Sequence, residues 1–279
     1  MTKEKVTPVK KVSTEAKIDT PKRFAKLHAA VQNLKKNHKT LYIVLYALVI
    51  AAWTYGVMML VQLVAAWVLI GVMGKENAVE WVSSSTGQTI YTAVVYVICL
   101  VITVTVPAYI FKNKDKLRNV LGVTGLPTWT DLLLAPIFYI ASTLVGMLLL
   151  FAFGAIFPMI NLEQAQEVGY ENIASSVDLV LAAIALVVVA PVAEELIFRG
   201  WMYGKLRTKM IAVPALLLTS FVFGLVHGQW NVAIIVFAMS AGQCLQREIT
   251  GTIWSGLFVH MIRNGLAFYM LFVAPGFLG

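Results

Sequence analysis

From residue 41 to residue 73 no position carries a charged side chain. A helix rises 1.5 Å per residue, so roughly 20 apolar residues cover the hydrocarbon core of a bilayer. Six further apolar runs follow, at 89–111, 131–157, 179 to the acidic pair at 194–195, 211–226, 231–245 and 252–272. They are continuously apolar rather than alternating, which argues for helices and against a transmembrane β-barrel. Apolar residues make up 59% of the chain. The fold expected is all-α, a polytopic transmembrane helix bundle of about seven spans, with the fifth and sixth runs short for a crossing.

Charge divides the chain unevenly. Residues 1–39 hold 11 Lys/Arg and three Asp/Glu, which accounts for the whole net charge of +8. A basic tail beside a membrane body points to anionic lipid as its partner and away from nucleic acid. Residues 1–21 are Lys/Thr/Pro-rich and read as disordered. Phe24, Leu27, Val31 and Leu34 then recur at helical spacing, which predicts a short amphipathic helix on the membrane surface. The chain thus reads in three parts: a basic cytoplasmic tail (1–39), two spans (40–119) and a core (120–279). The tail is too long and polar, and the next run too long, for a secretory signal peptide.

Loop charges set an orientation. With the tail inside, loop 74–88 is outside with Lys75, Glu76 and Glu80. Loop 112–118 is inside with four basic residues, and loop 158–178 is outside with Glu163, Glu167, Glu171 and Asp178 and no basic residue. Loop 205–209 is inside with three, and Arg247 also falls inside. The positive-inside rule therefore predicts an N-in chain. Trp129 and Trp230, near span ends, suit interfacial anchors. Cys99 and Cys244 lie within apolar runs and read as small buried hydrophobes, not as a disulfide or metal framework.

Three places break the apolar rule: Glu194, Glu195 and Arg199 in the fourth run, His227 after the fifth, and His260, Arg263 and Asn264 in the last. An ionisable residue at a span centre costs at least ~2.5 kcal/mol on insertion scales, so partners or a wet cavity must offset it. Glu194 lies 16 residues before Met210 and His227 lies 17 after it. If Met210 is a cytoplasmic turn, both sit ~25 Å along antiparallel helices and come level. His260 and Asn264 lie ~14 and ~20 Å from Gly251 by the same arithmetic. All four groups can therefore meet in one layer.

Facing angles separate the roles. Glu195 and Arg199, i and i+4 with the acid first, read as an ion pair that locks helices. Glu194 is turned ~100° from its neighbour and is left to face another group. His260 and Asn264 share a face. A carboxylate beside an imidazole can deprotonate water, and an imidazole and an amide N–H can stabilise an oxyanion. The same donors could hold zinc through Glu194, His227 and His260, although HExxH does not occur. No GxSxG and no serine nucleophile arrangement occurs either. Taken singly, a membrane histidine is an ordinary interhelical hydrogen bond, Arg263 can snorkel, and the Met and aromatic residues of the spans read as packing.

EELIFRG (194–200), FGLVH (223–227) and HMIRN (260–264), in this order and spacing, resemble the EExxxR, FxxxH and HxxxN motifs of the CPBP (Abi, CAAX-protease-like) intramembrane proteases. The resemblance covers about residues 120–275, including LGVTGLPTW (121–129). It implies a bundle with its site in the membrane core and hydrolysis of a membrane-associated protein or peptide. Glu194 and His227 would activate water, His260 and Asn264 would steady the oxyanion, and Glu195 and Arg199 would support. It favours a metal-free, glutamate-type peptidase in a bacterial plasma membrane, acting in bacteriocin maturation, self-immunity, surface-protein processing or CaaX-like trimming. Arg263 is no part of the motif. Two rivals use the same polar layer: a non-catalytic immunity or scaffold protein, and a proton-coupled transporter. Against the latter, the chain has no internal repeat and no matched pair of broken helices.

Overall fold

A computed structural model describes residues 22–110, 117–162, 164, 169–170, 173 and 175–274. The chain divides into two compact units, Met1–Leu45 and Tyr46–Gly279. The first contains α1 (Lys22–Asn37), the helix anticipated from residue 24 onward. Lys35 and Lys36 in its last turn complement the helix dipole. Residues 1–21, read from sequence as disordered, lie outside the described residues.

The helices that follow are α2 (Lys39–Met73), α3 (Lys75–Ser83), α4 (Ser85–Ile110), α5 (Leu117–Leu121), α6 (Trp129–Ile156), α7 (Ser176–Arg207), α8 (Ala212–Leu225), α9 (Trp230–Thr250) and α10 (Trp254–Val273). The described residues form an all-α, multi-pass membrane bundle. Among the described residues six helices are long and apolar enough to cross a bilayer: α2, α4, α6, α7, α9 and α10. The fifth apolar run is α8, 14 residues or ~21 Å, shorter than a crossing needs. The sixth run is α9, whose 21 residues suffice once its polar end is included. Trp129 and Trp230 are the exposed first residues of α6 and α9. Of the acids expected to mark the outer loop, Glu163, Glu167 and Glu171 lie outside the described residues, as do 112–116 of the basic loop.

The core gathers on α7. Ile197, Phe198, Trp201, Met202, Tyr203 and Leu206 are all but fully buried. By contrast Trp67, Val72, Leu133 and Leu148 point outward, as a lipid-facing surface requires. α9 packs on α6 and α8, and α10 packs on α6 and α7. Gly204 lets α5 approach α7, because a Cβ there would run into the Val120 carbonyl. Arg247 of α9 ties the same contact by donating to Gly200 O at 3.0 Å and to Val120 O. The entry to α6 is fastened by Ile253 N to Gly122 O (3.1 Å) and Trp254 Nε1 to Gly125 O (2.7 Å). Thr128 and Asp131 then form a capping box that starts the helix.

The polar spans are not regular α-helices. α7 turns π-helical over Ile184–Val189 and Glu195–Tyr203, and α4 and α10 do so over Val101–Thr105 and Tyr269–Val273. One cause is legible in α7. The Ala190 N–H bonds to Ala185 O rather than to Leu186 O, and Pro191 has no N–H to offer. The Leu186 carbonyl is thereby left for a partner outside its own helix.

Candidate active site

The two faces of the EELIFRG turn have different surroundings. Glu195 and Arg199 point into the protein and are fully buried, with Arg199 Nη1 3.0 Å from Glu195 Oε1. Arg199 also donates to Gln243 Oε1, and Gln243 Nε2 donates to Gly256 O at 2.9 Å. The guanidinium lies 4.1 Å from the Phe223 ring centroid, a cation–π contact. His260 Nδ1 donates to Glu195 Oε1 at 3.0 Å. The i, i+4 ion pair read from sequence is therefore present, and it also carries an imidazole.

Glu194 points the other way, into a cavity of about 170 Å³ lined by Tyr96, Glu194, His227, His260, Arg263 and Asn264 together with apolar side chains. That volume holds several water molecules, and its polar wall suits them. Glu194 Oε1 accepts from the Tyr96 hydroxyl, and Oε2 lies 3.5 Å from His260 Nε2. His260 thus stands between both carboxylates, its Nδ1 bound by Glu195 and its Nε2 turned to the cavity. The four side chains expected to converge, Glu194, His227, His260 and Asn264, do line one cavity.

His227 follows the end of α8, where Gly228 at φ 71° turns the chain toward α9. Its Nδ1 lies 2.8 Å from Phe223 O. A carbonyl only accepts, so Nδ1 carries the hydrogen and the neutral ring keeps its lone pair on Nε2. Phe223 wedges the histidines in place. Its ring meets His227 edge-on at 4.9 Å and His260 at 6.0 Å between centroids. Asn264 Nδ2 donates at 2.9 Å to Leu186 O, the carbonyl released above Pro191. Its Oδ1 accepts from Arg263 Nη1 at 3.1 Å. These two bonds set the amide's orientation and leave one Nδ2–H unspent.

Sequence reasoning missed Tyr96, Phe223 as a wedge, and the partner of Asn264. The spans' aromatics were expected to be packing alone, and Tyr96 corrects that: a phenol inside an apolar helix must find an acceptor, and its acceptor is Glu194. Pro191 was the available signal for the freed carbonyl. Among the described residues no three His, Cys, Asp or Glu side chains are grouped so as to hold a metal ion, the set Glu194, His227 and His260 included.

Residues 176–266, which contain all three polar elements, match the family of type II CAAX prenyl endopeptidases, Rce1-like. Over 181 residues the chain is 25% identical to a Bacillus subtilis (strain 168) protein named "Putative membrane peptidase YdiL", covering 63% of this chain and 69% of that one. The chain is an intramembrane peptidase similar, over residues 176–266, to the type II CAAX prenyl endopeptidases. No solved structure matches it. The family match spans α7, α8, α9 and most of α10, so Tyr96 comes from a helix outside it.

Proposed function

We propose that the peptidase cuts membrane-associated protein or peptide substrates without a metal and without a covalent intermediate, using water activated by Glu194 and His227. The observation that carries this reading is the division of labour at residues 194 and 195. One carboxylate is committed to a buried guanidinium, while its neighbour opens on a polar cavity that it shares with His227. In the proposed step Glu194 takes a proton from water, with His227 Nε2 as a second acceptor on the cavity wall. The hydroxide adds to the scissile carbonyl. The remaining N–H of Asn264 faces the oxygen that becomes negative, and His260, whose Nδ1–H is held by Glu195, presents an Nε2–H to it once the ring takes up a second proton. Collapse of the adduct breaks the C–N bond, and the proton held by Glu194 passes to the leaving amine.

The setting proposed is a bacterial plasma membrane, with the basic segment at 1–39 held on anionic lipid and the N-terminus inside. A peptide released near the membrane suits bacteriocin maturation, immunity, surface-protein processing or CaaX-like trimming, and the test distinguishes among them by identifying the product. Host cells expressing the wild-type chain and Glu194→Gln at equal levels are compared by mapping peptide termini in the membrane fraction. The expected result is a set of new termini with the wild type and none with Glu194→Gln. Identical termini from both chains overturn the reading.

A further inference from the structure

We propose that Tyr96, on α4, is a positioning residue for Glu194, holding the carboxylate plane in the orientation that water activation needs. The inference rests on the role proposed for Glu194, and its support is independent of the family match. Tyr96 lies outside residues 176–266 and belongs to none of the three motifs.

Three observations carry it. First, the Tyr96 hydroxyl donates to Glu194 Oε1 while His260 Nε2 faces Oε2, so the two carboxylate oxygens are met from two different spans. A carboxyl held only through its own side chain rotates about its last bond. The Tyr96 O–H on Oε1, with the His260 ring standing 3.5 Å from Oε2, restricts that rotation. Second, Tyr96 itself is aimed by the core. Val95 and Cys99 beside it are buried, and α4 packs along α7 over both its π-helical and α-helical parts. Third, the donor is a phenol. The neighbouring Glu195 is held by the guanidinium of Arg199 at 3.0 Å, which binds tightly and cancels its charge. A phenol orients a carboxylate and leaves its negative charge in place, which a general base requires. α4 thereby completes a site whose other polar members come from α7, α10 and the α8–α9 turn.

Tyr96→Phe removes one oxygen and keeps the ring. In detergent-purified protein, the carboxylate stretching band that disappears in Glu194→Gln is expected to shift in Tyr96→Phe. Replacing Tyr96 with 3-fluorotyrosine, a stronger donor, should move it in the opposite direction. On a peptide spanning a cleavage site found by the terminus mapping, kcat is expected to fall roughly ten- to a hundredfold in Tyr96→Phe, as loss of a hydrogen bond to a charged group predicts, with KM within about twofold. A band that stays put in both variants, or a kcat that stays within about twofold of wild type, overturns the proposal. Should Glu194→Gln cleave as well as wild type, the water-activation reading fails on that result. The infrared comparison then still decides whether Tyr96 orients the carboxylate.

Discussion

Two sides of a single helical turn invite comparison. On the dry side, Glu195, Arg199 and Gln243 are buried and joined to each other and to His260. On the cavity side, Glu194 meets Tyr96 and His260 where His227, Arg263 and Asn264 also face the open space. The residues on either side are chemically alike, and adjacent carboxylates head each group. Their differing surroundings teach that charge inside a membrane protein can serve as framework or as reagent. An acid paired at 3.0 Å with a buried guanidinium is committed to that partner, whereas an acid at the wall of a wet cavity is open to water. His260 bridges the two and lets the framework aim the reagent.

The sharpest way to break this comparison is to exchange the roles. Glu194→Gln keeps shape and hydrogen-bonding capacity but cannot take a proton, so cleavage should fall by about 10³-fold or more. Its thermal unfolding midpoint in detergent should stay near that of wild type. A variant that unfolds but cleaves would put residue 194 on the framework side. Arg199→Met should do the reverse. It leaves Glu195 buried without its cation, and a cost of about 3–5 kcal/mol is expected in equilibrium unfolding. Glu195→Gln should cost less, since Gln243 still receives Arg199. Equal activity loss per unit of stability in Glu194→Gln and Arg199→Met would erase the distinction.

Asn264→Ala tests the oxyanion side. It removes the amide while His260 remains, and kcat should drop by about 10²-fold with KM little changed. Gly204→Ala probes the dry framework away from the chemistry. The added Cβ meets the Val120 carbonyl, so a loss of about 1–3 kcal/mol in stability is expected, with kcat of the folded fraction preserved. The smallest effect expected is none: treatment with 1,10-phenanthroline or EDTA should leave cleavage by the purified peptidase unchanged. Loss of activity that zinc restores would return Glu194, His227 and His260 to the ligand set considered from their sequence.

Much of this architecture was legible in the one-dimensional pattern. Uninterrupted apolar runs can satisfy backbone groups in lipid only as helices, so the all-α bundle followed from residues 41–73 and their successors. The Glu195–Arg199 pair followed from i, i+4 spacing. Depth arithmetic brought Glu194, His227, His260 and Asn264 toward one layer, and they share a cavity. The arithmetic assumed α-helical rise, although α7 is π-helical through Glu195–Tyr203. Its success reflects how little a few wider turns alter depth compared with how much they alter facing.

Facing is where sequence reasoning stopped. The order of residues determined that this chain crosses a membrane as helices, and that three of its polar elements had to find one another there, because lipid gives a lone charge no partner. Only the tertiary structure decided which oxygen meets which donor. It set Tyr96 of a distant helix against Glu194, and gave Asn264 the carbonyl freed above Pro191. The reason is physical. Periodicity follows from the local backbone, while a hydrogen bond over about 3 Å between helices depends on how whole spans rotate and pack, and no single span encodes that.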